Sequence, residues 1–333
     1  MTDMPARVSL REVGPRDGLQ NEDPVPTDGK VALLDALSQT GVRRIEAVSF
    51  VHPKAIPQMA DADEVWARIA KNPEVRYSAL VPNVRGAERA LAAGFSEIEV
   101  VISASTTHNQ RNINRTTDES LADLPDLASL VHLPNDHVKE AFPALTRTTD
   151  SAKGGKALQG PVRAGTLQVI VSTAWGCPYE GDVPVSRVVD VVRRAVAAGA
   201  DSVAFGDTTG MATPGRVTEL VGEVRSAQPD VPLGVHFHNT RGTGLANVLA
   251  ALQMGVADFD ASVGGLGGCP YAPGASGNIA SEEFVHMLHD MGIETGVDLD
   301  ALIEVAEQAE KLVGHQLPSQ VLRAGPRTRL TPK

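Results

Sequence analysis

The chain has 333 residues, 42% apolar and 21% charged, with a formal net charge of −11. That length and composition suit a soluble globular protein with a large core, and the negative charge disfavours non-specific binding to nucleic acid or an anionic membrane. No apolar run reaches the ~20 residues that span a bilayer, and residues 1–7 lack an apolar signal core. The two cysteines, Cys177 and Cys269, make no secreted disulfide framework, so a reducing cytoplasm is the expected compartment.

In chain order, eight short runs rich in Val and Ile and bounded by Gly, Pro or Asn predict strands. They cover residues 8–13, 44–50, 76–81, 97–103, 167–173, 202–207, 233–238 and 259–264. Between them, apolar spacing near 3.6 predicts helices, most clearly over 31–37, 188–198, 245–254 and 282–291. Four connections repeat one phrase, "TGVRRIE", "AGFSEIE", "AGADSVA" and "MGVADFD". Each puts a glycine at a helix end, where the left-handed C′ position favours it, and then starts a strand.

Eight such βα units predict a (β/α)8 TIM barrel. No G-x-G-x-x-G follows a strand, which argues against a doubly wound open sheet. The polar, Gly/Pro-bearing stretch over about 130–162 breaks the rhythm and reads as an insertion after the fourth helix. Residues 298–314 predict an extra C-terminal helix, and 325–333 a frayed tail. The expected division is a catalytic barrel over 1–297 and a packed helix and tail over 298–333.

Catalytic groups of such barrels sit at the C-terminal ends of strands. Past the first strand, "REVGPRDGLQNE" places Arg16 and Asp17. The seventh carries "VHFHNT", and strand alternation points His236 and His238 to one face. After the eighth, "GGLGGCPYAPGASGN" ends in Asn278, which could cap the next helix or offer its carbonyl to a metal. One carboxylate, one carboxamide and two imidazoles suit Mg²⁺ or Mn²⁺ and also admit Zn²⁺ or Co²⁺. The first, seventh and eighth strands become neighbours when the barrel closes, so these ligands come together. Arg241 puts a positive charge near the mouth, where it could meet a substrate phosphate or carboxylate, or merely the protein's acidic surface.

The segments "VSLREVGPRDGLQNE", "IEAVSFVHP", "SASTTHNQRNIN", "STAWGCPYEG", "FGDTTGMATP", "VHFHNTRGTGLAN" and "VGGLGGCPYAPGASGN" run nearly the whole chain in one order. They resemble the motifs of the 3-hydroxy-3-methylglutaryl-CoA lyase family. The cysteine-bearing glycine loop is similar to the lyases rather than to the condensing synthases that share the opening Arg-Asp and the H-x-H.

The resemblance implies a metal-dependent retro-Claisen cleavage of (3S)-3-hydroxy-3-methylglutaryl-CoA to acetyl-CoA and acetoacetate, in a homodimer. It implies that Asp17, His236, His238 and Asn278 ligate the metal, that Arg16 stabilises the enolate oxygen, and that Cys269 helps protonate the enolate. Glu46 and Asp207 match catalytic support groups, and Gln20 and Asn21 match pocket residues. Either His236 or Asp207 could take the hydroxyl proton. Gln168 and Ile170 stand where an arginine and a tyrosine are expected, and "HFHNTRG" departs from the family phrase at Phe237, Asn239 and Arg241. These departures leave the reaction type in place and open the question of the acyl branch.

Overall fold

The structure is a computed structural model that describes residues 4–133, 165–268 and 277–330. Eight parallel strands close into a barrel in sequence order, β1 to β8, with β8 pairing back onto β1. They are β1 Ser9–Glu12, β2 Arg44–Ser49, β3 Arg76–Leu80, β4 Glu97–Ser103, β5 Thr166–Ser172, β6 Ser202–Gly206, β7 Leu233–His236 and β8 Asp258–Ala261. The TIM-barrel expectation holds, and every predicted strand overlaps an observed one.

Helices α1 Thr27–Leu37, α2 Ala62–Arg68 and α3 Val84–Ala92 follow the first three strands. Three short helices follow β4: α4 Thr106–Ile113, α5 Thr117–Ala122 and α6 Leu124–Val131. A capping box at Thr116 and Glu119 starts α5, and Pro125 stands in the first turn of α6. The last three connections carry α7 Val185–Ala197, α8 Pro214–Ala227 and α9 Gly244–Gln253. Helix α10, Ser281–Asp290, completes the ring. The predicted insertion lies outside the described residues from position 134 onward.

The repeated phrase has its expected physical meaning. Gly41, Gly94, Gly199 and Gly255 all have positive φ, between 74° and 103°. That is the conformation a Cβ would strain, and it turns the chain from helix to strand. Outward-facing Leu, Ile and Val of the strands pack against the helices, as do Phe205 and Phe259, neither more than 1% exposed. The predicted tail helix is α11, Leu299–Val313, started by the Asp298 side chain, which accepts from the N–H groups of Asp300 and Ala301. It packs against α1, α10 and the segment after β8; a five-residue helix, α12 Gln320–Ala324, follows.

The inside of the barrel is unusual. Such interiors are commonly layers of branched aliphatic side chains. This one holds Arg11, Glu46, Glu99 and Asp260, all less than a tenth exposed, together with Ser78 and Gln168. A bulge in β2 shifts the β2–β3 register between Glu46 and Val48.

Candidate active site

The chain leaves β1 in one wide helical turn, Gly14–Gly18. The Val13 carbonyl accepts from the N–H groups of Arg16, Asp17 and Gly18, at 3.2, 2.7 and 3.2 Å. Arg16 and Asp17 are thereby held over the barrel mouth. Asp17 Oδ1 accepts from Arg16 Nη1 at 2.8 Å and from Gln20 Nε2 at 2.7 Å. Its Oδ2 accepts from Asn278 Nδ2 at 2.8 Å and lies 3.8 Å from His236 Nε2. Arg16 Nη2 reaches Glu46 Oε2 at 2.7 Å.

Donor atoms of Asp17, His236 and His238 all lie within 4.8 Å of one another. Strand alternation delivers the histidines, whose rings are 5.1 Å apart. Phe237, between them in sequence, packs outward on Trp175 at 5.4 Å. Asn278 arrives by backbone pairing. It bridges His238, and its neighbours bond to both strand ends through Ile279 N–H to Phe237 O and Ser262 N–H to Ile279 O. The alternative role as a helix cap does not hold, because α10 starts three residues later with Ala280 at its N-cap.

Charge shifts follow from these contacts. Burial opposes ionisation of Asp17, but Arg16, both histidines and the Asn278 amide outweigh it and hold its carboxyl at about 2. Burial, reinforced by His236, pushes His238 down to about 4. Burial also opposes a charge on His236, but the hydrogen bond to Asp260 and the nearby Asp17 raise it. Glu46 is driven up by burial and by Glu99, against the pull of Arg16 and Arg11.

These residues suit a cation. Two buried atoms of ligand type, His238 Nδ1 and Asn278 Oδ1, have no hydrogen-bond partner. Within the buried cluster Arg11 and Arg16 face four carboxyl groups, Asp17, Glu46, Glu99 and Asp260. Carboxyl groups outnumber the two arginines there, an imbalance that a bound cation would reduce.

The cluster opens into a cavity of about 1020 Å³ lined by Arg16, Asp17, Gln20, Asn21, His236 and His238. Leu80, Val101 and Ile170 give it an apolar wall, and Arg85, Arg89, Arg111 and Arg115 a basic side. Gly268, the residue before Cys269, also lines it; Cys269 itself lies outside the described residues. The root of that glycine loop is fixed by two buried carboxyls. Glu12 accepts from Gly14 N–H and Val263 N–H, each at 2.8 Å, and Glu282 accepts from Gly264 N–H at 2.8 Å. Burial pushes Glu12 up to about 7 and Glu282 to about 8.

A family model described as HMGL-like matches residues 7–308. The chain belongs to the HMGL-like family. It is 42% identical over 320 residues to a hydroxymethylglutaryl-CoA lyase of Bacillus subtilis, covering 96% of this chain and 97% of that one. It is 43% identical to a protein of Danio rerio named as the cytoplasmic 3-hydroxy-3-methylglutaryl-CoA lyase, covering 96% and 88%. A solved HMG-CoA lyase from Acinetobacter baumannii, in complex with coenzyme A and 3-methylmalate, matches with a TM-score of 0.83 and 41% identity over the full length of both chains.

Two expected site residues, Arg241 and Asp207, and the departure at Gln168 lie off the cavity surface. Arg241 does not line the cavity; its Nη1 donates to the Thr209 and Gly210 carbonyls and ties the loop after β7 to the loop after β6. Asp207 is also off the cavity surface, with Oδ1 accepting from Met211 and Ala212 N–H and Oδ2 without a partner. Gln168 is not a pocket residue but lies deeper in the barrel, where it accepts from Arg11. Sequence reasoning passed over Arg11, Glu99 and Asp260. Their signal was a charged residue at an inward position of an otherwise apolar strand, in "SLRE", "EIEVV" and "DFDA".

Proposed function

We propose that this member of the HMGL-like family cleaves (3S)-3-hydroxy-3-methylglutaryl-CoA to acetyl-CoA and acetoacetate, using Mg²⁺ or Mn²⁺ held by Asp17, His236, His238 and Asn278. The observation that carries this reading is the Asp17–His236–His238 donor cluster, with Arg16 2.8 Å from Asp17, in the wall of one large cavity. When bound at these donors, a divalent cation supplies Lewis acidity that makes a hydroxyl easier to deprotonate.

The chain's own groups do the rest. Arg16 stands as a fixed cation where the thioester oxygen gains charge while the C2–C3 bond breaks, and its ion pairs with Asp17 and Glu46 keep it from turning away. The hydroxyl proton would go to His236, which lines the cavity, or to Asp207, which lies off it between the lining residues Gly206 and Thr208. Burial holds the Asp207 carboxyl up at about 6, inside the range a base needs at neutral pH. The electron pair of the broken bond goes to the acetyl-CoA enolate, which takes a proton at C2 from Cys269.

Coenzyme A has a place in the charge pattern. In a chain of net charge −11, Arg85, Arg89, Arg111 and Arg115 all line one cavity, with Arg89 paired to Asp63 and Arg115 to Asp123. A ligand carrying phosphates accounts for that grouping. The apolar wall of Leu80, Val101 and Ile170 favours one second reading, a 3-hydroxy-3-alkylglutaryl-CoA with a longer branch. A reducing cytoplasm is the compartment proposed, since Cys177 is a buried free thiol. No helix among the described residues is long and apolar enough to cross a membrane.

The test is direct. The purified protein loaded with Mn²⁺ should release equal amounts of acetoacetate and acetyl-CoA from the methyl substrate, and ethyl or propyl homologues should rank the second reading. Absence of cleavage with every substrate in that panel would refute the proposal.

A further inference from the structure

We infer that Asp260 and Arg11, backed by Glu99 and Gln168, are positioning residues that hold His236 in one tautomer, with Nε2 bare and turned to the cation site. The inference rests on the proposed role of His236 as a ligand.

Asp260 Oδ2 lies 3.2 Å from His236 Nδ1. Both of its oxygens are also taken by the Arg11 fork, Nε to Oδ1 at 2.9 Å and Nη2 to Oδ2 at 2.7 Å. A carboxylate clamped in this way cannot swing. Being acceptor-only when ionised, it requires the proton on Nδ1. In the neutral ring the second nitrogen, Nε2, is then a lone pair 3.8 Å from Asp17 Oδ2.

Arg11 is fixed in turn. Its Nη1 donates to Gln168 Oε1 at 2.6 Å and pairs with Glu99 Oε1, and Gln168 Nε2 donates to Ser202 Oγ at 3.1 Å. Arg11 and Glu99 are each 2% exposed and Asp260 is 7% exposed.

None of these four side chains lines the cavity. Their route to the chemistry runs through His236. Partners of this kind fix ring orientation, and their loss commonly costs 10–100-fold in metal affinity. Gln168, which stood out as a departure in the sequence, joins this support as an acceptor for Arg11.

The experiment measures Mn²⁺ binding by calorimetry, without substrate, on the full chain. In Asp260→Asn one of the two acceptor oxygens becomes an NH₂ donor, so the Arg11 fork and His236 Nδ1 can no longer all be satisfied and the clamp on the ring is broken. The expected result is a Kd for Mn²⁺ raised about 10–100-fold, with substrate KM near the parent value once Mn²⁺ saturates. Arg11→Lys keeps the charge but removes the fork, and should weaken Mn²⁺ in the same direction. In the parent protein without metal, nitrogen NMR in alkaline buffer should find the His236 proton on Nδ1.

A proton on Nε2 in the parent, or folded Asp260→Asn that binds Mn²⁺ as the parent does, would overturn the inference. The NMR result decides it even where a variant fails to fold. Parent protein that binds Mn²⁺ yet cleaves no substrate would sink the proposed reaction and leave this inference standing.

Discussion

Replacing Glu282 by Gln should stabilise the protein at alkaline pH and leave it almost unchanged in acid. Glu282 is fully buried on α10, with Oε1 on the Gly264 N–H and Oε2 unpartnered. Burial, with the nearby Glu12 adding repulsion, raises its carboxyl from 4.5 to about 8. The folded state therefore holds a proton that the unfolded chain releases above pH ~4.5. Stability from this group is complete below the unfolded pKa, and is lost as pH rises toward 8. At about 1.4 kcal/mol per unit, that displacement corresponds to roughly 5 kcal/mol between pH 4.5 and 9. A glutamine keeps the acceptor for Gly264, puts an NH₂ where the proton was, and carries no charge to desolvate. Urea unfolding of parent and variant at pH 5, 7 and 9 should show a gap near zero at pH 5 that widens in favour of the variant at pH 9. A gap independent of pH would refute the reasoning, because only the ionised carboxylate carries the penalty.

Three further outcomes follow from the same geometry. Chelation should abolish turnover and lower the melting temperature, and Mn²⁺ restored to 100 times its Kd should return about 2.7 kcal/mol of stability; full activity in excess EDTA would count against a metal. Arg16→Gln should lower kcat by about 10²–10³-fold with a smaller effect on KM; a loss under threefold would remove Arg16 from the enolate site. Gly267 has φ +108°, and a Cβ there would stand 2.8 Å from Asn278 Nδ2. Gly267→Ala should therefore displace Asn278 and weaken Mn²⁺ binding at least tenfold, and unchanged binding would exclude Asn278 as a ligand.

What could be read in the sequence was periodic or punctuated. Strand alternation put His236 and His238 on one face, and the four glycines at helix ends marked where each strand begins. Asn278 was legible as a site residue but not as a backbone-paired one, since its bridge to His238 is a long-range hydrogen-bond pattern that no local propensity signals. For Arg241 the sequence shows a charge and not its reach. Its guanidinium satisfies carbonyls of the preceding loop, a contact set by how two βα loops pack. The three short helices after β4 are separated by local capping at Thr116 and Pro125, signals present in the text but weaker than the barrel's repeat.

The polar barrel interior ties these observations together. Replacing aliphatic layers with Arg11, Glu46, Glu99 and Asp260 gives no stability that a packed core would not equal, because desolvating charges costs about as much as pairing them returns. Glu46 shows the cost, since burial and Glu99 hold it up even with Arg16 2.7 Å away. The arrangement does something an apolar core cannot. Glu99, Arg11, Asp260, His236, Asp17, Arg16 and Glu46 run from the barrel interior to its mouth and back through successive polar contacts. Asp17 and His236 both touch the cavity and this chain of charges, so a cation at their donors would sit where the excess of carboxyl groups over arginines is reached from two sides. Fixing Arg16 through Glu46 and His236 through Asp260 at the same time sets the proposed enolate cation and the proposed metal ligand in one frame. Substitutions at either end should then fail to add: Glu46→Gln combined with Asp260→Asn should cost less in kcat/KM than the product of the two single losses. Strictly multiplicative losses would mean that the two supports act on the site independently.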